Sequence, residues 1–182
     1  EIPQLPPMQD REHRAILHLM STIGTPAYYI NTNVFAYIAL YAVNEILKYG
    51  HTPNSSVAFI ALAIIVQIVQ GDYTAGYRIG ELALQLDARD DKNPLVAGLV
   101  PHAFAFFIQH WRKHVRYDID LFRTVYQMAL NAGNFIYAGL SVVAAAEYRL
   151  MMGDRLDDVY EDLQQYQGLM QMLKDKVVLD HY

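Results

Sequence analysis

The sequence has no cysteine, one tryptophan and little charge. Of its 182 residues, 18% are Asp, Glu, Lys or Arg, against 53% that are hydrophobic. The missing cysteine excludes disulfides and thiolate chemistry and fits a reducing compartment, so we expect a cytoplasmic protein. The shortage of charge predicts that much apolar surface is buried between helices or against a partner.

The charge that is present is acidic on balance, and long membrane-type runs are missing. The net charge is −5 and the sequence pI is about 5.7, whereas a nucleic-acid-binding face is normally basic, so we expect no nucleic-acid partner. A membrane span needs roughly 20 predominantly apolar residues. Gln67 and Gln70 interrupt one uncharged stretch, and Pro101 and His102 interrupt another. We therefore expect buried helices and no membrane span.

The stretch from Ser55 to Asp87 predicts two antiparallel helices. Residues 57–70 are almost wholly apolar, and Asn54 before them can cap a helix start. Gly71 and Asp72 are suited to ending one helix and beginning the next. Gly76 and Gly80 belong to a small-residue stripe in the second helix, which allows the two axes to approach closely.

The rest of the chain repeats this pattern irregularly, with a second Gly-Asp turn at Gly153. We expect an all-α fold of about eight helices in four stacked hairpins. Residues 1–8 are expected to be an extended lead-in and 9–182 a single helical-repeat domain. Because the chain opens with Glu1 and has no signal peptide, we expect it to be a fragment of a larger protein. The remaining predicted helices are Asp10–Ile23, ended by Gly24-Thr25-Pro26; Asn33–Tyr49; Pro94–His114, either kinked or restarted at Pro101; Tyr117–Ala132; Asn134–Met152; and Arg155–Leu173.

The segment GDYTAGYRIGELALQLD resembles the turn and second helix of a tetratricopeptide repeat. In that repeat a Gly-Asp-Tyr-type turn is followed by a small residue, an apolar or aromatic position, and then Ala-Leu. Ala83 and Leu84 match the last two positions. The first helix lacks the Trp, Leu-Gly and Tyr signature of the repeat. The resemblance implies a tetratricopeptide-like stack of antiparallel helical hairpins.

Four segments together resemble the helical region of very large bacterial and fungal signalling proteins. They are EILKYG at 45–50, GDYTAGYRIGELALQL, FFIQHW at 106–111 and GNFIYAG at 133–139. In those proteins a Ser/Thr-kinase-like domain and an AAA-type predicted ATPase precede this region, and a GAF sensor and a histidine kinase follow it. The resemblance implies a non-catalytic regulatory scaffold for signal transduction. A free-standing peptide-binding adaptor of the same fold is the alternative.

No segment of the sequence carries a catalytic, cofactor or metal motif. His110 and His114 have the one-turn spacing of helical zinc ligands, but Arg112 and Lys113 between them would oppose a cation. No glycine-rich loop is followed by Lys and Ser or Thr, as nucleotide binding would require. We therefore expect no metal, no cofactor, no ATP binding and no catalytic residue. The serines, including Ser141, are expected to cap or pack.

The run from His110 to Arg116 is the one dense basic segment, and it contains the only Trp. Trp and Arg concentrate binding energy at interfaces, so Trp111, Arg112, Lys113 and Arg116 are the candidate interaction surface. The alternative is that Trp111 caps the core while the cations complement a helix C-terminus. The expected partner is protein: neighbouring domains of the parent chain or a peptide, with self-association also open. The fourteen tyrosines are expected in the core, with groove lining as their alternative.

Overall fold

The computed structural model describes residues 4–89 and 94–173, and that part of the chain is helical with no β-strand. Helices that follow one another in sequence pack together: α1 with α2, α2 with α3, α3 with α4, α6 with α7, and α7 with α8. This confirms the all-α stack, although with nine helices in the described part against the eight expected. The helices are α1 Arg11–Ile30, α2 Thr32–Tyr49, α3 Ser55–Gln70, α4 Tyr73–Arg89, α5 Leu99–Ala103, α6 Arg116–Asn131, α7 Phe135–Met151, α8 Leu156–Gln164 and α9 Gln167–Met172.

The chain divides into two compact units, which we call unit 1 (Glu1–Val96) and unit 2 (Ala97–Tyr182). Unit 1 contains α1 to α4, and unit 2 contains α5 to α9. The single domain over 9–182 stays a prediction.

α1 is longer than the sequence predicts. The break at Gly24-Thr25-Pro26 is wrong, because the helix continues through Pro26 to Ile30. Gly24 and Ala27 are buried on the side of α1 that packs in unit 1. Proline inside a helix removes one backbone hydrogen bond, but tertiary packing of a helix face overrides local propensity. The helix ends at Ile30, and the next residue, Asn31, caps α2, because its side-chain oxygen accepts from Val34 N at 3.3 Å.

From residue 5 to residue 10 the chain is not helical, and this part of the lead-in docks on the turn that follows α2. His51 N donates to Pro6 O and Met8 N donates to His51 O, both at 2.9 Å. Met8 is only 3% exposed. Gly50 permits this contact because it has a φ of +106° and because a Cβ there would collide with the Pro6 carbonyl.

The turn between α3 and α4 follows the prediction. Gly71 ends α3 in the left-handed conformation with a φ of +68°. The Asp72 carboxylate accepts from Thr74 N at 3.1 Å and from Ala75 N at 2.8 Å, which caps α4. The predicted close approach is also confirmed at Gly76, where a Cβ would lie 3.1 Å from Ala63 O.

The start of α3 differs from the prediction, because the Asn54 side chain makes no cap hydrogen bond. Its amide lies 3.1 Å from His18 Nδ1 instead. The Ser55 hydroxyl accepts from Thr52 N at 2.9 Å. The serine therefore organises the turn before α3.

The stretch from Pro94 to His114 is not a single helix. A 3₁₀ turn covers Pro94–Val96, and Pro101 lies in the first turn of the separate helix α5. This confirms the alternative in which the helix restarts at Pro101, since a first turn has no need of the N–H that proline lacks. Beyond α5 the backbone widens into a π-helical segment, Phe104–Ile108, and then tightens into a 3₁₀ turn, Gln109–Trp111.

The end of the chain also differs from the sequence prediction. Arg155–Leu173 is not one helix, because α8 ends at Gln164 and α9 starts at Gln167. The break allows Met170 and Leu173 to pack with Val142 and Val143 of α7, and this burial outweighs continuation of the helix.

The second Gly-Asp turn differs from the first. Asp154 does not cap α8, whereas Asp72 caps α4. The Asp154 carboxylate accepts from Arg149 Nε at 2.8 Å, and Arg149 also donates to Asp162 at 2.8 Å.

Candidate interaction surface

The four basic-segment residues predicted from the sequence lie together on the surface of unit 2, just before and at the start of α6. We call Trp111, Arg112, Lys113 and Arg116 the basic turn. All four are exposed, Trp111 by 55%. More than half of the Trp111 surface faces solvent, and its ring lies against the half-buried His110 ring with centroids 5.1 Å apart. Tyr117, which follows the basic turn, is 61% exposed.

Local backbone hydrogen bonds hold the basic turn. Arg112 N and Lys113 N both donate to the Gln109 carbonyl, at 2.9 and 2.8 Å. Tyr117 N donates to the His114 carbonyl at 3.0 Å as α6 begins. The turn therefore has one defined backbone path between the 3₁₀ segment and α6.

A buried polar pair lies beneath this turn. Gln109 Nε2 donates to Asp118 Oδ1 at 2.8 Å, and these residues are 7% and 0% exposed. Burial raises the pKa of the Asp118 carboxyl to about 6, while the Gln109 hydrogen bond and the Lys113 charge act against that shift. Asp118 Oδ2 has no hydrogen-bond partner among the described residues. The pair ties the turn to α6 but leaves a poorly solvated carboxylate.

A second polar contact ties the same segment to α7. The Tyr148 hydroxyl donates to the Phe106 carbonyl at 3.0 Å and lies 3.3 Å from His110 Nδ1. Phe106 belongs to the π-helical segment, where the backbone is irregular and the Phe106 carbonyl accepts a hydrogen bond from a side chain. Burial lowers the pKa of His110 and raises the pKa of Tyr148. Both side chains are therefore neutral near pH 7.

A third polar pair joins α5 to α7. His102 Nδ1 lies 2.9 Å from the Ser141 hydroxyl, and Ser141 is fully buried. Burial lowers the pKa of His102 to about 4, so the ring is neutral. An imidazole beside a hydroxyl is the arrangement of a base and a nucleophile. This hydroxyl has no surface that a substrate could reach, so the pair acts as a helix-to-helix contact.

An open groove borders the basic turn. Its volume is about 650 Å³, within the range of sites that hold small ligands or peptide side chains. Lys113 belongs to both the groove and the basic turn. The lining residues are Gln109, Lys113, Tyr117, Asp120, Leu121 and Thr124.

The structure separates the histidines that the sequence placed one helical turn apart. His110 is half-buried against Tyr148, whereas His114 is exposed and its Nδ1 accepts from Arg116 N at 3.2 Å. The 3₁₀ segment ends between them at Trp111, so they do not share a regular helix face. Within residues 4–89 and 94–173, no group of three His, Asp or Glu side chains is placed to hold a metal ion.

The sequence predicted none of these three polar contacts. The Gln109–Asp118 pair spans nine residues, and the His102–Ser141 pair spans 39. One sequence signal was available: Asp118 shares a helical face with Phe122 and Val125, four and seven positions later, so it falls in an apolar stripe. Pairing across 39 residues has no comparable signal.

These features define an all-α stack of paired helices that carries a basic and aromatic surface. No helix in the described ranges is both long and apolar enough to cross a membrane. No known family matches the chain, and no solved structure does.

Comparison with curated proteins finds a relative in signalling. The chain is 26% identical over 151 residues to "Hybrid signal transduction histidine kinase G" of Dictyostelium discoideum. The match covers 82% of this chain but 4% of the relative. The chain is thus similar to a small part of a signal-transduction protein.

Proposed function

We propose that this chain is a non-catalytic, tetratricopeptide-like scaffold that makes protein–protein contacts within a larger cytoplasmic signalling protein. Two findings support the proposal: the all-α stack and the similarity to part of a histidine kinase. In the proposed parent, any ATPase and kinase activity belongs to domains other than this one. Helical-repeat stacks commonly serve as binding surfaces.

The main structural support for the proposal is the exposure of Trp111 within the basic turn. A 55% exposed indole is costly to leave in water, whereas Trp and Arg concentrate energy at interfaces. Arg112, Lys113 and Arg116 follow it within five residues, in a chain whose net charge is −5. The matching partner is an acidic surface with an apolar site for the indole.

The construction of the turn favours binding. Association is weakened by the entropy lost when mobile groups become ordered. The backbone of the basic turn is already fixed by hydrogen bonds to Gln109, whose side chain is held by Asp118. The backbone of the basic turn therefore loses less conformational entropy when a partner binds.

The non-catalytic part of the proposal rests on where the titratable groups lie. His102 and Asp118 are buried, and Tyr148 directs its hydroxyl to a backbone carbonyl. A general acid or base must reach the substrate within hydrogen-bond distance. These groups instead hold helices together.

The test is a triple variant, Arg112→Ala, Lys113→Ala and Arg116→Ala, assayed for capture of the separately expressed flanking domains. We expect capture to fall at least about tenfold, and wild-type capture to weaken as salt is raised. The matched control is Arg11→Ala, Arg14→Ala and Arg78→Ala, which removes three exposed cations from unit 1. Equal capture by wild type and both variants would show that the basic turn is not the interface.

The groove beside the basic turn favours a second candidate, a free-standing peptide-binding adaptor. Its volume of about 650 Å³ and its mixture of Lys113, Tyr117, Asp120 and Leu121 suit a short peptide that carries an apolar side chain. Titrating such peptides into the isolated chain distinguishes the candidates. An adaptor binds peptides without flanking domains, and Leu121→Glu should abolish that binding.

A further inference from the structure

The first helix pair exposes more apolar surface than a solvent-facing pair requires. On α1, Leu19 is 60% exposed, Ile23 41% and Ile30 83%. Positions 19, 23 and 30 recur at four and seven residues, so they lie on one side of the helix. α1 therefore has an apolar stripe on its exposed side.

α2 carries a similar stripe. Tyr37 is 64% exposed, Leu40 53% and Leu47 51%. These positions are three and seven residues apart, which again places them on one side of the helix. We call the exposed residues of both helices, Leu19, Ile23, Ile30, Tyr37, Leu40 and Leu47, the apolar stripes.

Charge is absent from most of this surface. From Ala15 to Asn44 the sequence contains no Asp, Glu, Lys or Arg. α4, in the same unit, exposes Arg78, Glu81 and Gln85. In helical-repeat proteins the terminal repeats of a complete stack have polar outer faces, and internal repeats bury apolar ones against their neighbours. The exposed side of α4 is polar, as expected for a helix that faces water. The exposed sides of α1 and α2 are apolar, as expected for an internal pair of a stack.

We propose that α1–α2 is an internal pair of a longer helical stack and that a helical hairpin preceding α1 in the parent protein covers the apolar stripes. The chain matches 4% of its signalling relative, so that relative has ample chain to form further hairpins. An uncharged surface also selects an apolar occupant over an acidic or basic one. The proposal rests on the proposed membership of this chain in a larger protein, but not on the function assigned to the basic turn.

The size of the surface distinguishes a tethered hairpin from a second copy of the chain. The stripes run from Leu19 to Ile30 and from Tyr37 to Leu47, so each is about 15–17 Å long. At about 10 Å of width each, the two stripes offer roughly 300 Å². A stable complex between separate chains usually buries about 800 Å² on each partner. A hairpin in the same chain needs less, because its tether raises the effective concentration.

Cysteine labelling tests the proposal, because the chain has no cysteine of its own. Leu19→Cys and Leu40→Cys place one thiol on each stripe, and Arg78→Cys on α4 is the control. A maleimide is applied to the isolated chain and to the parent protein, and each site is read by mass spectrometry. We expect all three sites to react readily in the isolated chain. In the parent, Leu19→Cys and Leu40→Cys should react at least about tenfold more slowly, with Arg78→Cys unchanged.

Three results would overturn the proposal. The first is undiminished labelling of either stripe in the parent protein. The second is protection already present in the isolated chain, which, if it grows with concentration, assigns the surface to a second copy. The third is a parent gene with no helical chain ahead of α1.

Discussion

The two units achieve order by different means. The α-helices of unit 1 are 16 to 20 residues long. Unit 2 contains α-helices as short as five and six residues, a π-helical segment and a 3₁₀ turn. Long regular helices satisfy their own backbone groups, whereas an irregular path requires side chains to do so. Tyr148 supplies such a contact to Phe106.

Buried ionisable groups occur in both units. Unit 1 buries Glu45 beside the His13 imidazole, which stacks on Tyr49 with ring centroids 3.9 Å apart. Unit 2 buries His102 and Asp118, and burial moves their pKa values to about 4 and about 6. Both units therefore contain buried polar pairs, and in unit 2 one of these pairs lies beneath the basic turn. The following predictions probe the comparison between the two units.

Gly50→Ala should be the most damaging change. It forces a side chain into a conformation that only glycine adopts readily, and its Cβ would collide with the Pro6 carbonyl. We expect a loss of about 2–4 kcal/mol, together with release of the lead-in from His51. Urea unfolding followed by circular dichroism measures the first effect, and proteolysis near residue 8 measures the second.

Gly71→Ala is the matched control. Gly71 also has a positive φ, but a Cβ there would meet nothing within 4 Å. We therefore expect Gly71→Ala to lose only about 1–2 kcal/mol of stability, from backbone strain alone. If the two variants lose equal stability, docking of the lead-in contributes nothing.

Stability of unit 2 should depend on pH through two opposing groups. The raised pKa of Asp118 contributes stability that is present below its usual value of 3.8 and is lost as pH rises through about 6. The lowered pKa of His102 contributes stability that is present above its usual 6.5 and is lost as pH falls towards about 4. Each contribution is at most about 3 kcal/mol. In the wild type the two slopes partly cancel.

Single variants should expose each slope. With Asp118→Asn, stability should rise from pH 4.5 to 7.5 relative to wild type. With His102→Gln it should fall over the same window. Urea unfolding followed by the fluorescence of Trp111 reports on unit 2 specifically. Parallel pH profiles for wild type and Asp118→Asn would show that the buried carboxyl does not titrate as described.

Gly76→Leu tests the close packing of unit 1. A Cβ at Gly76 would lie 2.9 Å from Gln67 Oε1 and 3.1 Å from Ala63 O, so α3 and α4 would have to separate. We expect a loss of about 1–3 kcal/mol despite the better helix propensity of Leu. Gly24→Ala is the control, because a Cβ there would meet nothing within 4 Å, and it should be neutral or stabilising by about 0.5–1 kcal/mol. A stable Gly76→Leu variant would mean that the two helices are not closely packed.

The regular helices were the predictable part of this molecule. The α3–α4 turn could be read from Gly71 and Asp72 because a helix stop and cap are local signals. The predicted helix break at Pro26 was wrong, because burial of Gly24 and Ala27 on either side stabilises the helix more than the proline destabilises it. The basic turn could be predicted because its cations and its Trp are adjacent in the sequence. The Gln109–Asp118 pair beneath it could not be predicted, because side-chain pairing across an irregular backbone depends on tertiary geometry.

The smallest stability effect and the clearest functional one should come from the basic turn. Replacing Arg112, Lys113 and Arg116 with Ala should change stability by only a few tenths of a kcal/mol per site, since exposed charges contribute little. Thermal unfolding checks this. A loss of several kcal/mol would mean that the turn serves folding rather than binding.

Trp111 provides the most direct test of the account, because it is the only Trp in the chain. Chain labelled with fluorotryptophan gives a single ¹⁹F resonance that can be followed while unlabelled flanking domains are added. We predict that the free resonance responds to exchange of H₂O for D₂O, as a 55% exposed indole should. On addition of the flanking domains it should shift and lose that response, and in the Arg112, Lys113 and Arg116 triple variant it should not. A resonance that stays solvent-sensitive and unshifted with wild-type chain at saturating flanking domains would contradict the proposed interface.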